Sequence, residues 1–85
     1  MRVAFEVKAL EQFVLWASED KKIFKRIVEL LRDIQRTPFT GIGKPEPLNH
    51  EFRGYWSRRI TDVHRLVYKV EKEQITVLSC KYHYE

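Results

Sequence analysis

Eighty-five residues can bury one hydrophobic core and leave no room for a second, so residues 1–85 read as a single domain. At 44% hydrophobic and 33% charged, the composition excludes both a disordered chain and a membrane-spanning one. The net charge of +4 points towards a polyanionic or acidic partner, and a lone Cys80 excludes an intramolecular disulfide and fits a reducing cytosol.

The first residues, Met1-Arg2-Val3-Ala4-Phe5-Glu6, lack the apolar stretch and small-residue cleavage site of a signal peptide. Val3, Phe5 and Val7 alternate with Arg2, Ala4, Glu6 and Lys8, which predicts a strand. From Lys8 the period lengthens. Leu10, Phe13, Val14 and Ala17 fall at helical spacing and predict an amphipathic helix over 9–17. Ser18-Glu19-Asp20 supplies capping residues, and a second helix is predicted over 21–35. Its core stripe is Ile23, Phe24, Ile27, Leu30, Leu31 and Ile34. Its outer face carries Lys21, Lys22, Lys25, Arg26, Arg32 and Arg36 against Glu29 and Asp33. That face serves either as a solvated surface or as a contact for a phosphate backbone.

Residues 37–48 form the longest irregular stretch and hold all three prolines and two of the three glycines. Proline fixes its own φ and restricts the residue before it, so Pro45 and Pro47 hold Glu46 on a stiff, extended segment. Such a segment either joins two elements or positions a base beside a sheet. Gly41-Ile42-Gly43 is no phosphate cradle, because Lys44 is followed by Pro45 where a P-loop requires Ser or Thr.

Two alternating runs, 55–60 and 64–70, flank the break Thr61-Asp62-Val63 and predict an antiparallel hairpin. Arg65 shares a face with Val67 and Lys69, opposite Leu66, Tyr68 and Val70. One face can therefore pack a core while the other offers guanidinium groups. A third run, 75–84, ends in Lys81-Tyr82-His83-Tyr84. His50, His64, His83 and Cys80 lack metal-ligand spacing, so no metal is expected. His50 is expected in an exposed loop and His64 at a core edge. His83 stands between aromatics, and the unperturbed pKa of an imidazole, near neutrality, suits proton transfer.

Lys44-Pro45-Glu46-Pro47-Leu48, Tyr55-Trp56-Ser57-Arg58-Arg59-Ile60, His64-Arg65-Leu66-Val67-Tyr68 and Lys81-Tyr82-His83-Tyr84, in this order and spacing, resemble the YoeB toxins of the RelE superfamily. The resemblance extends to Arg36-Thr37-Pro38-Phe39 and Gly41-Ile42-Gly43-Lys44, and so covers nearly the whole chain. It implies an α+β, microbial-ribonuclease-like fold of order β-α-α-β-β-β, with two helices packed on a twisted antiparallel sheet. It also implies a bacterial, cytoplasmic toxin that cleaves mRNA in the ribosomal A site without metal or organic cofactor. The implied partners are the ribosome with its mRNA and a cognate antitoxin with an acidic, partly disordered C-terminal segment. A homodimer is compatible with it, and a membrane partner is not expected.

By position, the resemblance makes Glu46 the general base and His83 the general acid. Arg65 stabilises the transition-state phosphate, and Tyr84 helps to hold the substrate. Arg59, Lys44 and Arg58 are expected at RNA phosphates, and Lys21, Lys22, Lys25 and Arg26 at the ribosome. Two positions depart from the pattern. Asn49 stands where relatives often carry lysine, and Glu85 extends beyond the tyrosine at which relatives often end. The rival reading is a non-catalytic RNA- or antitoxin-binding module, a degenerate toxin.

Overall fold

The computed structural model describes residues 1–82; His83, Tyr84 and Glu85 lie outside the described residues. Strand β1 (Arg2–Phe5) leads into helix α1 (Val7–Glu19) and helix α2 (Lys21–Arg36). A two-residue strand β2 (Glu46–Pro47) and a single 3-10 turn (His50–Phe52) precede β3 (Trp56–Arg59), β4 (Arg65–Glu71) and β5 (Gln74–Ser79). The five strands form one sheet in the order β1-β5-β4-β3-β2.

The expected class and element order hold, with two refinements. The sheet is mixed rather than wholly antiparallel, because β1 pairs parallel with β5, Val3 opposite Ile75 and Phe5 opposite Val77. A parallel neighbour needs a crossover connection, and the two helices supply it. The second refinement is β2, which places Glu46 opposite Ser57 and Pro47 opposite Trp56. Proline contributes no N–H to a ladder, so this strand sits at the sheet edge and stays short.

Only one residue separates the helices. Asp20 closes α1 by donating its N–H to the Trp16 carbonyl, and its carboxylate caps α2 by accepting from Lys22 and Ile23 N–H at 3.1 and 3.2 Å. Caps of this kind contribute about 0.5–2 kcal/mol. The α2 stripe behaves as expected: Ile27, Leu30 and Ile34 are wholly buried, with Leu66, Tyr68, Ile75 and Val77 of the sheet beneath them. Each such aliphatic side chain contributes about 1.5–3 kcal/mol on burial, so this layer dominates the stability.

Helix α1 departs from expectation. Its inward residues are Ala9, Phe13 and Trp16, whereas Leu10, Val14 and Ala17 face out. Val7, expected in the first strand, opens α1 at 73% exposure, and Val14 is 60% exposed. The helix is apolar on both sides, and two helical stripes compete for the core. Phe13 and Trp16 bring the larger apolar area, and Phe13 stacks between Phe5 and Phe24 at 5.1 and 4.7 Å.

The last strand also stops earlier than expected. At Cys80 the backbone N–H goes to Gln12 Oε1 (2.7 Å) and the carbonyl to the Trp16 indole N–H (2.9 Å). Both are side chains of α1, and they take the groups that a longer β5 would have offered to the ladder. No helix among the described residues is long and apolar enough to cross a membrane.

Candidate active site on the sheet face away from the helices

Cross-strand partners share a sheet face. Arg58 lies opposite Leu66 and Trp56 opposite Tyr68, which places these four towards the helices. Arg59 opposite Arg65, and Glu46 opposite Ser57 and so Val67, lie on the other face. Three predicted site residues, Glu46, Arg59 and Arg65, thus come together on one face of β2, β3 and β4. Glu46 and Arg59 stand one diagonal step apart, about 7–8 Å between backbones.

Their states differ in ways that matter for chemistry. Glu46 and Arg59 are exposed, and neither side chain has a hydrogen bond or ion pair among the described residues. Arg65 is half-buried. Its Nη1 donates to the carbonyls of Thr61 (2.8 Å), Asp62 (3.3 Å) and His64 (3.3 Å). Those carbonyls fix the plane of the guanidinium, while Nε and Nη2 bond to nothing among the described residues. No carboxylate pairs with it there. The turn that supplies the carbonyls is itself held, because Thr61 Oγ1 accepts from the N–H groups of Val63 and His64. Lys44 is exposed, at φ +50°, two residues before Glu46.

Arg58 is a correction. Expected at an RNA phosphate, it is 0% exposed and makes five hydrogen bonds inside the protein. Nη1 donates to Asp33 Oδ2 at 2.5 Å and to the Ile42 carbonyl at 3.1 Å. Nη2 donates to the carbonyls of Thr37 (2.7 Å) and Thr40 (2.8 Å), and Nε to the Tyr68 hydroxyl (3.1 Å). A guanidinium has five N–H donors, so none is left for a ligand. Asp33, assigned by periodicity to the solvated face of α2, is buried as its counterion. Its second oxygen accepts from Arg36 (2.9 Å), and the hydrogen bond from Arg58 chiefly holds its carboxyl below the ordinary value of 3.8. Burial pushes the Tyr68 phenol up, against the opposing hydrogen bond from Arg58. The strand parity of Arg58 with Trp56 and Ile60 was the available signal that it faces the core.

The chain leading to His83 is anchored on both sides. Tyr82 N–H donates to His64 Nδ1 at 2.7 Å, and its carbonyl accepts from the Arg65 N–H at 3.0 Å. His64, expected at a core edge, sits with its ring edge on Trp16 at 4.8 Å and 5.2 Å from the Tyr82 ring. Lys81 Nζ lies over Trp16 at 5.4 Å. The roles expected of His83 and Tyr84 concern residues outside the described ones, as does the extra Glu85. His50, expected in an exposed loop, is exposed at the start of the 3-10 turn, and Asn49 before it is exposed as well. On α2, Lys21, Lys22 and Lys25 are exposed, whereas Arg26 is half-buried and paired with Glu29 at 2.9 Å. Among the described residues, no group of three His, Cys, Asp or Glu side chains could hold a metal ion.

On one face of the sheet the described residues thus offer a carboxylate and two guanidinium groups with no acidic partner among them, with the Tyr82 backbone held beside them by His64 and Arg65. A family model described as the YoeB-like toxin of bacterial type II toxin–antitoxin systems matches residues 5–84. Toxin YoeB of Streptomyces coelicolor is 51% identical over 84 residues, 99% of this chain and 100% of that protein. Among solved structures, a YoeB/ParE toxin from Agrobacterium tumefaciens superposes with a TM-score of 0.96 at 40% identity, covering 99% of this chain and 100% of that one. The Staphylococcus aureus toxin, solved in a YoeB–YefM complex, gives 0.92 at 45% identity, covering 99% of this chain and 98% of that one. A YoeB dimer from Staphylococcus aureus gives 0.93 at 46% identity, covering 99% of this chain and 98% of that one. The chain therefore belongs to the YoeB family of toxins of type II toxin–antitoxin systems.

Proposed function

We propose that this toxin is a ribosome-dependent endoribonuclease that cleaves mRNA in the A site and so arrests translation. The observation that carries the reading is the Arg59–Arg65 pair, unpaired with any carboxylate among the described residues, on the same sheet face as Glu46.

Glu46 takes the proton from the 2′-hydroxyl, and the 2′-oxygen forms a bond to phosphorus. The crowded phosphorane carries extra negative charge, which the planar Arg65 fork holds, with Arg59 and Lys44 beside it. The bond from phosphorus to the 5′-oxygen then breaks, and His83 gives that oxygen its proton. Tyr84 holds the substrate. The products are a 2′,3′-cyclic phosphate and a 5′-hydroxyl. Base, acid and fixed positive charge all come from side chains, so the reaction needs no metal.

An 85-residue domain has little depth to spare for a base-reading pocket, so the ribosome presents and orients the message, turning a bimolecular encounter into an aligned one. Lys21, Lys22 and Lys25, with Arg26 in support, dock on ribosomal RNA. By analogy with the Staphylococcus aureus relatives, one solved with YefM and one as a dimer, the remaining partners are a YefM-like antitoxin and a second copy of the chain. The antitoxin covers the basic surface with an acidic, partly disordered C-terminal segment. The work is done where ribosomes are, in the bacterial cytoplasm.

Primer extension on a reporter mRNA in a translation extract tests this. Cleavage within A-site codons is expected with ribosomes, and none at physiological salt on naked RNA. Equal cleavage of naked RNA overturns the ribosome dependence. Arrest of translation with intact message would favour the non-catalytic binder instead.

A further inference from the structure

The segment that delivers Glu46 is held from inside the protein. Residues 37–43 follow α2, and Arg58 on β3 collects the carbonyls of Thr37, Thr40 and Ile42 along them. Asp33 Oδ2 accepts both from Arg58 and from the Ile42 N–H (3.0 Å), and the Tyr68 hydroxyl donates to the Pro38 carbonyl (2.8 Å). The loop ends at Gly43, whose carbonyl accepts from the Arg59 N–H at 2.7 Å. Lys44 and Pro45 alone separate that anchor from Glu46.

Strand β2 cannot fix Glu46 by itself. Two residues at a sheet edge, one of them proline, make few ladder bonds and open readily. Nor does general stability explain the cluster, since a buried ion pair is commonly replaceable by apolar side chains at little or no loss. What hydrocarbon could not reproduce is a set of directed bonds to successive carbonyls. The glycines fit the same purpose. A Cβ on Gly41 (φ +121°) would collide with Asp33 Oδ2, and one on Gly43 (φ +80°) would come 2.8 Å from Leu30 Cδ2.

We infer that Arg58, Asp33 and Tyr68 are positioning residues for Glu46: by fixing residues 37–43 they set where its carboxylate stands relative to Arg59 and Arg65. The inference rests on the cleavage reaction proposed above, and its test separates the two.

Tyr68→Phe keeps the ring and removes the bonds to Pro38 and Arg58. On ribosomes under single turnover, its cleavage rate constant is expected to fall about 10–100-fold. The reacting amplitude and the ribosome affinity should stay within about twofold, whereas a loss of folded protein would lower the amplitude instead. In a Glu46→Gln background the same substitution should cost little more, because it acts through the missing carboxylate. An equal further loss there overturns the inference. Amide exchange at Arg59 and Leu48, whose N–H groups bond Gly43 and Tyr55, gives a readout that needs no catalysis. Faster exchange in Tyr68→Phe is expected, and unchanged protection overturns the inference even if the wild-type protein cleaves nothing. Should Tyr68→Phe fail to fold, Thr37→Val, which removes the exposed bond from Thr37 Oγ1 to the Thr40 carbonyl, is read in the same way.

Discussion

Arg58 and Arg59 are neighbours in β3 with opposite environments. Arg58 is wholly buried with every guanidinium donor engaged, and Arg59 is exposed with none engaged among the described residues. Strand alternation alone separates them. One arginine belongs to the scaffold and the other is available to a phosphate.

Substitution should divide them accordingly. Arg58→Met leaves the Asp33 carboxylate buried without its main partner, and breaking one side of a buried pair costs about 3–5 kcal/mol. Arg59→Gln should leave stability within about 0.5 kcal/mol, as surface changes usually do. Urea denaturation of both variants checks this, with the large loss expected at position 58 alone.

On the proposed reaction, Glu46→Gln keeps the volume of the side chain and removes the base. Fold and antitoxin binding should survive while cleavage falls about 10²–10⁴-fold, the usual contribution of a general acid or base. His83→Gln should act likewise. Arg65→Lys keeps the charge and loses the planar fork that the Thr61 carbonyl orients, and should be more damaging than charge counting suggests. Timed cleavage on programmed ribosomes measures all three.

Stability should depend on pH at both extremes, with opposite signs. The Asp33 carboxyl is held below its ordinary value of 3.8, chiefly by Arg58. Its stabilisation is therefore complete above about pH 4 and is lost as pH falls through the folded-state value. Burial pushes the Cys80 thiol from an ordinary 9.0 up to about 12. That contribution is complete below pH 9 and is lost between 9 and 12, at most about 1.4 kcal/mol per pH unit. Asp33→Asn should flatten the acid limb of a stability profile and Cys80→Ala the alkaline limb. In the native wild type at pH 8, the thiol should resist alkylation.

Replacing Lys21, Lys22 and Lys25 with Gln should weaken ribosome binding. The log–log salt slope should drop by about 0.7–0.9 for each phosphate that is no longer neutralised. Arg26→Gln should do less, because Glu29 already occupies its guanidinium. Unchanged binding across a salt titration would return α2 to the status of a solvated face.

Much of this was legible in the sequence because single-element patterns carry it. The α2 stripe, the Thr61-Asp62-Val63 break and the proline-flanked Glu46 each depend on neighbours a few residues away. What escaped depends on contacts distant in the chain. Asp33 read as surface because nothing near it announces Arg58, 25 residues away. Helix α1 presented two apolar stripes, and the choice between them was made by Phe5, Phe24 and His64, which periodicity cannot see. The parallel pairing of β1 was hidden for the same reason, since its partner follows every other element of the fold.

That pairing sets the order in which the molecule can be completed. Strand β5, which lies between β1 and β4, is the last of the described strands to be synthesised. Until it leaves the exit tunnel, β1 has no neighbour and Trp16 lacks the Cys80 carbonyl that its indole bonds. Contacts of such sequence separation form late, after their loop-closure cost has been met. A nascent toxin is therefore held incomplete while β5 is still inside the ribosome that makes it, and the sheet that carries the arginines closes only once that strand emerges.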